Sequence, residues 1–117
     1  MEAANQLFEE LRSILQPYEE DLTVVHTTAD NYYLNTPLQK KKSEFFGAVQ
    51  IKKKYVSFHL MPVYCYPELL TSVSEALKSR MQGKSCFNFG SIDKPLLQEL
   101  KMLTKASFEK YQASGKI

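Results

Sequence analysis

Two residue types are scarce in this chain, and long apolar runs are missing from it. Tryptophan is absent, and Cys65 and Cys86 are the only cysteines among the 117 residues. Two cysteines do not make the disulfide framework of a small secreted domain. No apolar run approaches the ~20 residues that a membrane-spanning helix needs, and the acidic, amphipathic start of the chain differs from a signal or transit peptide. We therefore expect a cytoplasmic protein that is not inserted in a membrane.

The length and composition predict a single folded domain over residues 1–117. A chain of this size buries roughly two thirds of its unfolded surface, which is enough for a core without disulfides or metals. The residues are 44% hydrophobic and 24% charged, with 7 Phe and 7 Tyr. This composition excludes the disordered class.

The net charge of +2 conceals a division along the chain. Residues 1–30 hold seven acidic side chains and one arginine, a net charge of −6, whereas residues 31–117 hold fourteen basic and six acidic side chains, a net charge of +8. Such asymmetry either influences the choice of partner or reflects solvated helix faces. The acidic and basic halves of two copies can also pair, so we expect a monomer or a homodimer.

Hydrophobic periodicity predicts an α+β fold with the element order α-β-β-β-β-α-β-α. Apolar residues recur at spacings of three and four over residues 3–16 and again after Pro95, which predicts amphipathic helices at both ends. Strands are predicted at residues 22–28 and in YYLNTP, and such an order implies helices packed on one face of an antiparallel sheet. The helix residues predicted to face the core are Leu7, Phe8, Leu11, Ile14, Leu15, Leu96, Leu97, Leu100, Leu103, Phe108 and Tyr111.

The clearest pattern is a β-hairpin with Lys52–Lys54 at its turn, between SEFFGAVQI and YVSFHLMPV. Gly47 within a strand indicates a bulge or the close approach of a helix. Both strands alternate, and the set predicted to face the core is Phe45, Gly47, Val49, Ile51, Val56, Phe58 and Leu60.

The second half of the chain is predicted to hold a helix, a strand and the last helix. The first helix begins at Pro67, runs through ELLTSVSEALKSRM and ends at Gly83. In the strand KSCFNF, Phe87 and Phe89 share one face, opposite Cys86 and Asn88. Asp93 is predicted to cap the last helix, which Gly115 ends.

The stretch Gly83-Lys84-Ser85 invites comparison with a phosphate-binding loop, but the sequence favours a structural role. A phosphate loop needs a glycine five residues before its last glycine, and Lys78 stands there. The stretch also opens a strand rather than a helix. Cys86 is predicted to be a structural thiol and His59 a satisfied sheet histidine, because neither has a partner at a spacing typical of catalysis or zinc binding.

Two segments resemble the YdhG-like family, domain of unknown function 1801. They are FFGAVQIKKKYVSFHLMPVY and QGKSCFNFGSIDKPLLQELKMLTKASFEKY. Family members are similar in having paired strands, a helix, a G-K-x-x-x-x-F strand and a D-x-P-L entry to the last helix. The resemblance covers roughly residues 20–112, and the matching residues are Gly83, Lys84, Phe89, Asp93, Pro95 and Leu96.

The resemblance implies a frataxin-like fold and, as for some members, a role in iron handling. Frataxins bind iron weakly through an acidic ridge on the first helix and the first strand edge. The chain lacks the tryptophan that frataxins use on the sheet face to meet partners, so docking of that kind is not implied. By region and charge, the stretch that would bind iron weakly consists of Glu9, Glu10, Glu19, Glu20 and Asp21.

These observations lead to a hypothesis of a non-enzymatic binding protein whose acidic N-terminal surface binds iron or a partner protein. The alternative, ranked lower for nucleic acid, is an interaction module, because basic residues with interleaved aromatics can hold single-stranded nucleic acid. The residues of that module are Lys40, Lys41, Lys42, Lys52, Lys53, Lys54 and Tyr55. A third hypothesis is a small-molecule pocket or enzyme near Tyr55, His59 and Cys86, although no triad or acid–base pair is predicted.

Overall fold

Five antiparallel strands lie side by side in the same order as in the sequence, and helices begin and end the chain. The computed structural model describes residues 2–37 and 43–117. Strands β1 and β5 form the two edges of the sheet. The strands are β1 Thr23–Thr27, β2 Asn31–Asn35, β3 Phe45–Ile51, β4 Val56–Leu60 and β5 Cys86–Phe89. The helices are α1 Glu2–Leu15, α2 Met61–Cys65, α3 Glu75–Lys78 and α4 Lys94–Ala113, with 3₁₀ turns at Gln16–Asp21 and Pro67–Leu70. The predicted α+β class is therefore confirmed.

The two long helices, α1 and α4, bury the faces that their periodicity predicts. All eleven predicted helix residues belong to one apolar core, together with the inward side chains of the sheet. Asp93 caps α4, since its Oδ1 accepts a hydrogen bond from the Leu96 backbone N–H at 3.2 Å. At the other end of α4, Gly115 has a φ of +83°. The hydrogen bond from the Lys116 N–H to the Tyr111 carbonyl completes a glycine-based helix stop.

Strand β3 contains a bulge that changes which phenylalanine enters the core. The pairing of β2 with β3 shifts between Leu34 and Asn35, so Phe46 is an extra residue with no partner in the register. Phe46 is fully buried and meets Phe108 and Tyr111 edge-on. The predicted core position of Phe45 is therefore wrong, because strict alternation does not survive a bulge.

The structure around Gly47 confirms both predictions made from its position in a strand, a bulge and the close approach of a helix. It follows the bulge, and helix α1 approaches it closely. A Cβ atom built on Gly47 would lie 3.0 Å from the His59 carbonyl oxygen and 3.3 Å from a methyl carbon of Leu15. A side chain at this position would press on β4 and on Leu15 of the first helix, so glycine favours the close packing of α1.

The single helix predicted between the hairpin and β5 is broken into short pieces. Strand β4 ends at Leu60 and α2 begins at once, with Pro62 in its first turn, where it needs no N–H partner. Farther on, Ser74 caps α3 by accepting a hydrogen bond from the Leu77 N–H. Glu99 in α4 accepts hydrogen bonds from both the N–H and the hydroxyl of Ser74, so tertiary contacts break the helix here. Gly83 consequently lies in a turn before β5, with a φ of +81°, rather than at a helix end.

No helix within residues 2–37 and 43–117 is both long enough and apolar enough to cross a membrane.

Candidate ligand-binding surface on the open face of the sheet

The two faces of the sheet differ sharply in the side chains that they carry. The face under α1 and α4 contributes Tyr32, Phe46, Phe58 and Phe87 to the core, and all four are fully buried. The opposite face, which we call the open face, carries side chains that are mostly half-buried or exposed. Small Ala48 and Ser57 form its buried floor. The open face therefore presents more polar and accessible side chains than the face under the helices.

Four rings form a row across four neighbouring strands of the open face. His26 in β1 meets Tyr33 in β2 edge-on, with ring centroids 5.8 Å apart. Tyr33 lies 4.7 Å from Phe45 in β3, and Phe45 lies 6.4 Å from His59 in β4. Cys86 in β5 ends the row, with its Sγ 3.9 Å from His59 Nε2. Strand pairing places Tyr33 and His59 on either side of Ala48, and the Phe45 ring, beside the bulge in β3, lies between their rings.

A second row, made of polar side chains, runs parallel to the rings. Asn31, Gln50, Ser57 and Asn88 occupy consecutive strands in register. The Gln50 amide donates to Asn31 Oδ1 at 3.2 Å, and the Ser57 hydroxyl donates to Asn88 Oδ1 at 3.1 Å. On β2, β4 and β5 the two rows are two residues apart along the strand, a distance of about 7 Å, whereas on β3 Phe45 is five residues from Gln50. Internal hydrogen bonds hold these side chains in place while leaving them half-exposed, except for the buried Ser57.

Lys52 places positive charge beside the open face. Burial lowers the pKa of His59, and the Lys52 charge lowers it further. Burial raises the pKa of Cys86, while a hydrogen bond from Ser57 and the charge of Lys52 oppose that rise. Near neutral pH, the His59 ring and the Cys86 thiol are therefore both neutral. This pair is not the imidazolium–thiolate pair of a cysteine nucleophile.

The predicted basic site is brought together in part. Lys52–Lys54 form the turn between β3 and β4, as predicted, and the turn and Tyr55 are exposed. The polar row lies between this turn and the ring row, because Gln50 and Ser57 are the strand residues paired next to the turn on the open face. The other half of the predicted site lies outside the described residues, and it consists of Lys40, Lys41 and Lys42. Their share in the basic site stays a prediction.

The five acidic residues predicted to bind iron lie on α1 and on the 3₁₀ turn that follows it, but three of them already have partners. Glu9 pairs with Arg12 and Glu10 with Lys94, each at 3.6 Å. Glu19 accepts a hydrogen bond from the Tyr32 hydroxyl. Over the described ranges 2–37 and 43–117, no three His, Cys, Asp or Glu side chains come together as metal ligands. The iron site stays a prediction.

The third hypothesis, a pocket shared by Tyr55, His59 and Cys86, divides into two places. His59 and Cys86 are neighbours on the open face, whereas Tyr55 lines a cleft on the helix-covered side. Sequence reasoning placed each of these residues in a strand or turn without locating one relative to another.

Sequence reasoning missed most of the open-face rows. Tyr33, Phe45, Asn31 and Gln50 were not predicted to act together, and Phe45 was assigned to the core. Strand alternation places Cys86 and Asn88 on a shared face, but no local pattern states which residues of other strands stand beside them. Only the cross-strand register supplies that information.

Known proteins provide no relative from which to transfer a function. The chain matches no model of a known protein family, and no significant match appears among curated proteins or solved structures. Its function is therefore argued from its own surfaces.

Proposed function

We propose that this chain is a non-enzymatic binding module that holds single-stranded nucleic acid across the open face of its sheet. The observation that carries the proposal is the order of three kinds of side chain along the strands. Lysines lie at the turn, the polar row follows, and the ring row comes last. These are the groups that contact phosphates, base edges and base faces.

The ring row supplies surfaces on which bases can stack. Tyr33, Phe45 and His59 are half-buried, so their neighbours fix them while part of each ring faces outward. The lowered pKa of His59 keeps its ring uncharged near pH 7. Stacking of one base on a protein ring contributes about 1–3 kcal/mol and tolerates any base.

The turn lysines supply the electrostatic part of binding. Lys52, Lys53 and Lys54 are exposed and consecutive, and their charges favour a polyanion. Each phosphate contact on a single strand contributes about −0.7 to the slope of log affinity against log salt. Three such contacts predict a slope of about −2.

The polar row supplies hydrogen-bonding groups between the lysines and the rings. The NH₂ groups of Gln50 and Asn88 each donate one hydrogen bond, to Asn31 and Gln82 respectively, and an amide NH₂ group has two donor hydrogens. We expect modest base preference from these groups and most of the affinity from stacking and charge.

The test is fluorescence anisotropy with labelled single-stranded DNA and RNA of about twelve nucleotides, within the ~4–16 nucleotides that one such surface accommodates. Salt is varied in each titration. The variant Tyr33→Leu/Phe45→Leu keeps apolar volume but removes two rings, and should weaken binding about tenfold or more. Lys52→Gln/Lys53→Gln/Lys54→Gln should flatten the salt dependence.

A control variant removes two lysine charges elsewhere on the surface. Lys101→Gln/Lys105→Gln alters two exposed lysines of α4 and should leave binding nearly unchanged. No binding at low salt, or binding that the ring variant leaves intact, would refute the proposal.

The acidic surface has its own independent test. An anaerobic NMR titration with ferrous iron, with magnesium as control, should broaden signals of residues 2–21 specifically if Glu9, Glu10, Glu19, Glu20 and Asp21 bind iron. A spectrum that does not change, or changes uniformly, would assign these carboxylates to solvated and ion-paired surface.

A further inference from the structure

A cleft of about 490 Å³ opens at the turn end of the sheet, on the side that faces helix α1. Its walls are the Lys52–Lys54 turn, the first turns of α1 and the residues that follow β5. Within the described part of the chain, its lining shares no residue with the ring row or the polar row, and only the Lys52–Lys54 turn borders both this cleft and the surface described above. Its volume lies within the range of about 300–1,000 Å³ that small-molecule pockets occupy.

The floor of the cleft is the edge of the apolar core. Ala4 and Ile51, which are partly buried, and the exposed ring of Tyr55 supply its accessible apolar lining. Leu7, Val56 and Phe89 also line it, but they are at most 2% exposed. A ligand in the cleft therefore meets aliphatic and aromatic carbon, and an apolar ligand body gains by leaving water there.

The rim of the cleft is cationic. Lys52, Lys53 and Lys54 all line it, and Tyr55, which is 41% exposed, adds an aromatic wall with a hydroxyl group. Three consecutive like charges repel one another, and an anion held among them would offset that repulsion. An apolar floor beside a cationic rim favours a molecule that has both an apolar body and a negative charge.

From this juxtaposition we infer that the cleft binds a small amphipathic anion, a free carboxylate with an aliphatic or aryl body. The carboxylate lies among the turn lysines and the body lies on Ala4, Ile51 and Tyr55. A neutral molecule with the same body lacks the attraction of the rim, and a short carboxylate lacks the apolar contact, so both bind less well.

Gly90 provides a way to close the cleft without disturbing the core. It lines the cleft, its φ is not in the left-handed region, and an added Cβ atom would meet no other atom within 4 Å. Gly90→Leu should therefore be tolerated by the fold and should occupy space that the ligand body needs.

The experiment titrates decanoate into the labelled protein below its micelle-forming concentration and follows methyl and aromatic NMR signals. We expect saturable shifts centred on Ala4, Ile51 and Tyr55, no saturation with acetate, and affinity for decanol at least tenfold weaker. Gly90→Leu should weaken decanoate binding at least tenfold. Lys52→Gln/Lys53→Gln/Lys54→Gln should weaken it as well, whereas Lys101→Gln/Lys105→Gln should not.

Two results would overturn the inference: no saturable binding of decanoate, or binding that Gly90→Leu leaves unchanged. If Gly90→Leu does not fold, Lys52→Gln/Lys53→Gln/Lys54→Gln takes its place. This variant should lose the preference for decanoate over decanol, and a preference that it retains would overturn the inference. Because the lysines border both sites, the face-specific variants separate the two proposals. Gly90→Leu should retain oligonucleotide binding, and Tyr33→Leu/Phe45→Leu should retain decanoate binding.

Discussion

Phe45 and Phe46 are neighbours in the chain, yet they belong to opposite faces of the sheet. Phe46 is sealed beneath α4 against Phe108 and Tyr111, whereas Phe45 lies half-buried between Tyr33 and His59 on the open face. One bulge in β3 separates their environments. The contrast teaches that the covered face of this sheet stabilises the fold, while the open face presents rings and polar groups that the core does not use.

Truncating the two phenylalanines should give the largest difference between the faces. Phe46→Ala leaves a cavity in a packed core and should lower the free energy of unfolding by about 3–5 kcal/mol. Phe45→Ala removes a half-buried ring and should cost about 1 kcal/mol. Urea unfolding followed by circular dichroism measures both, and equal losses would contradict the assignment of the two residues to different faces.

The next largest effect concerns two glycines. Gly47→Ala forces a methyl group against the His59 carbonyl and Leu15, and such overpacking should cost about 1–3 kcal/mol. Gly90→Ala meets open space and should change stability by less than about 1 kcal/mol, in the stabilising direction, by restricting the unfolded chain. Thermal unfolding of the pair checks this, and a neutral Gly47→Ala would mean that α1 moves away from the sheet easily.

Two adjacent tyrosines sharpen the comparison further. The Tyr32 hydroxyl donates to Glu19 from the covered face, and burial together with this hydrogen bond raises the pKa of Tyr32 above its usual value. Tyr32→Phe should therefore cost about 1 kcal/mol. Tyr33→Phe, on the open face, should change the free energy of unfolding by less than about 0.5 kcal/mol. If the two substitutions cost the same, the Glu19 contact contributes nothing to stability.

The smallest expected effect is a pH dependence from the open face. Because the folded pKa of His59 is lowered below 6.5, the unfolded chain binds the proton more tightly. The stability that neutral His59 supports is therefore present above about pH 6.5 and is lost as the pH falls through the lower folded value. His59→Gln should reduce this loss as the pH falls below about 6.5, and His26→Gln is the control for removing an imidazole. An identical pH profile in wild type and His59→Gln would refute the assignment.

Local pattern was sufficient for much of the fold because the terminal helices carry strong periodicity and clear end signals. The buried faces of α1 and α4, the Asp93 cap and the Lys52–Lys54 turn all follow from residues within a few positions of one another. Local pattern was insufficient between residues 61 and 81, where Pro62 starts α2 early and Glu99 holds Ser74 as the cap of α3. A partner twenty-five residues away is not visible in a local window.

The sequence by itself determined the elements at both ends, the alternation of the strands and the division of charge, since each depends on side chains close together in the chain. Tertiary structure alone decided the bulge that sends Phe45 outward, the strand pairing and packing that bring its ring between Tyr33 and His59, and the cleft beside the Lys52–Lys54 turn. The physical reason is that register and cleft shape follow from how a whole sheet packs against its helices. Both surfaces proposed for binding belong to this second group.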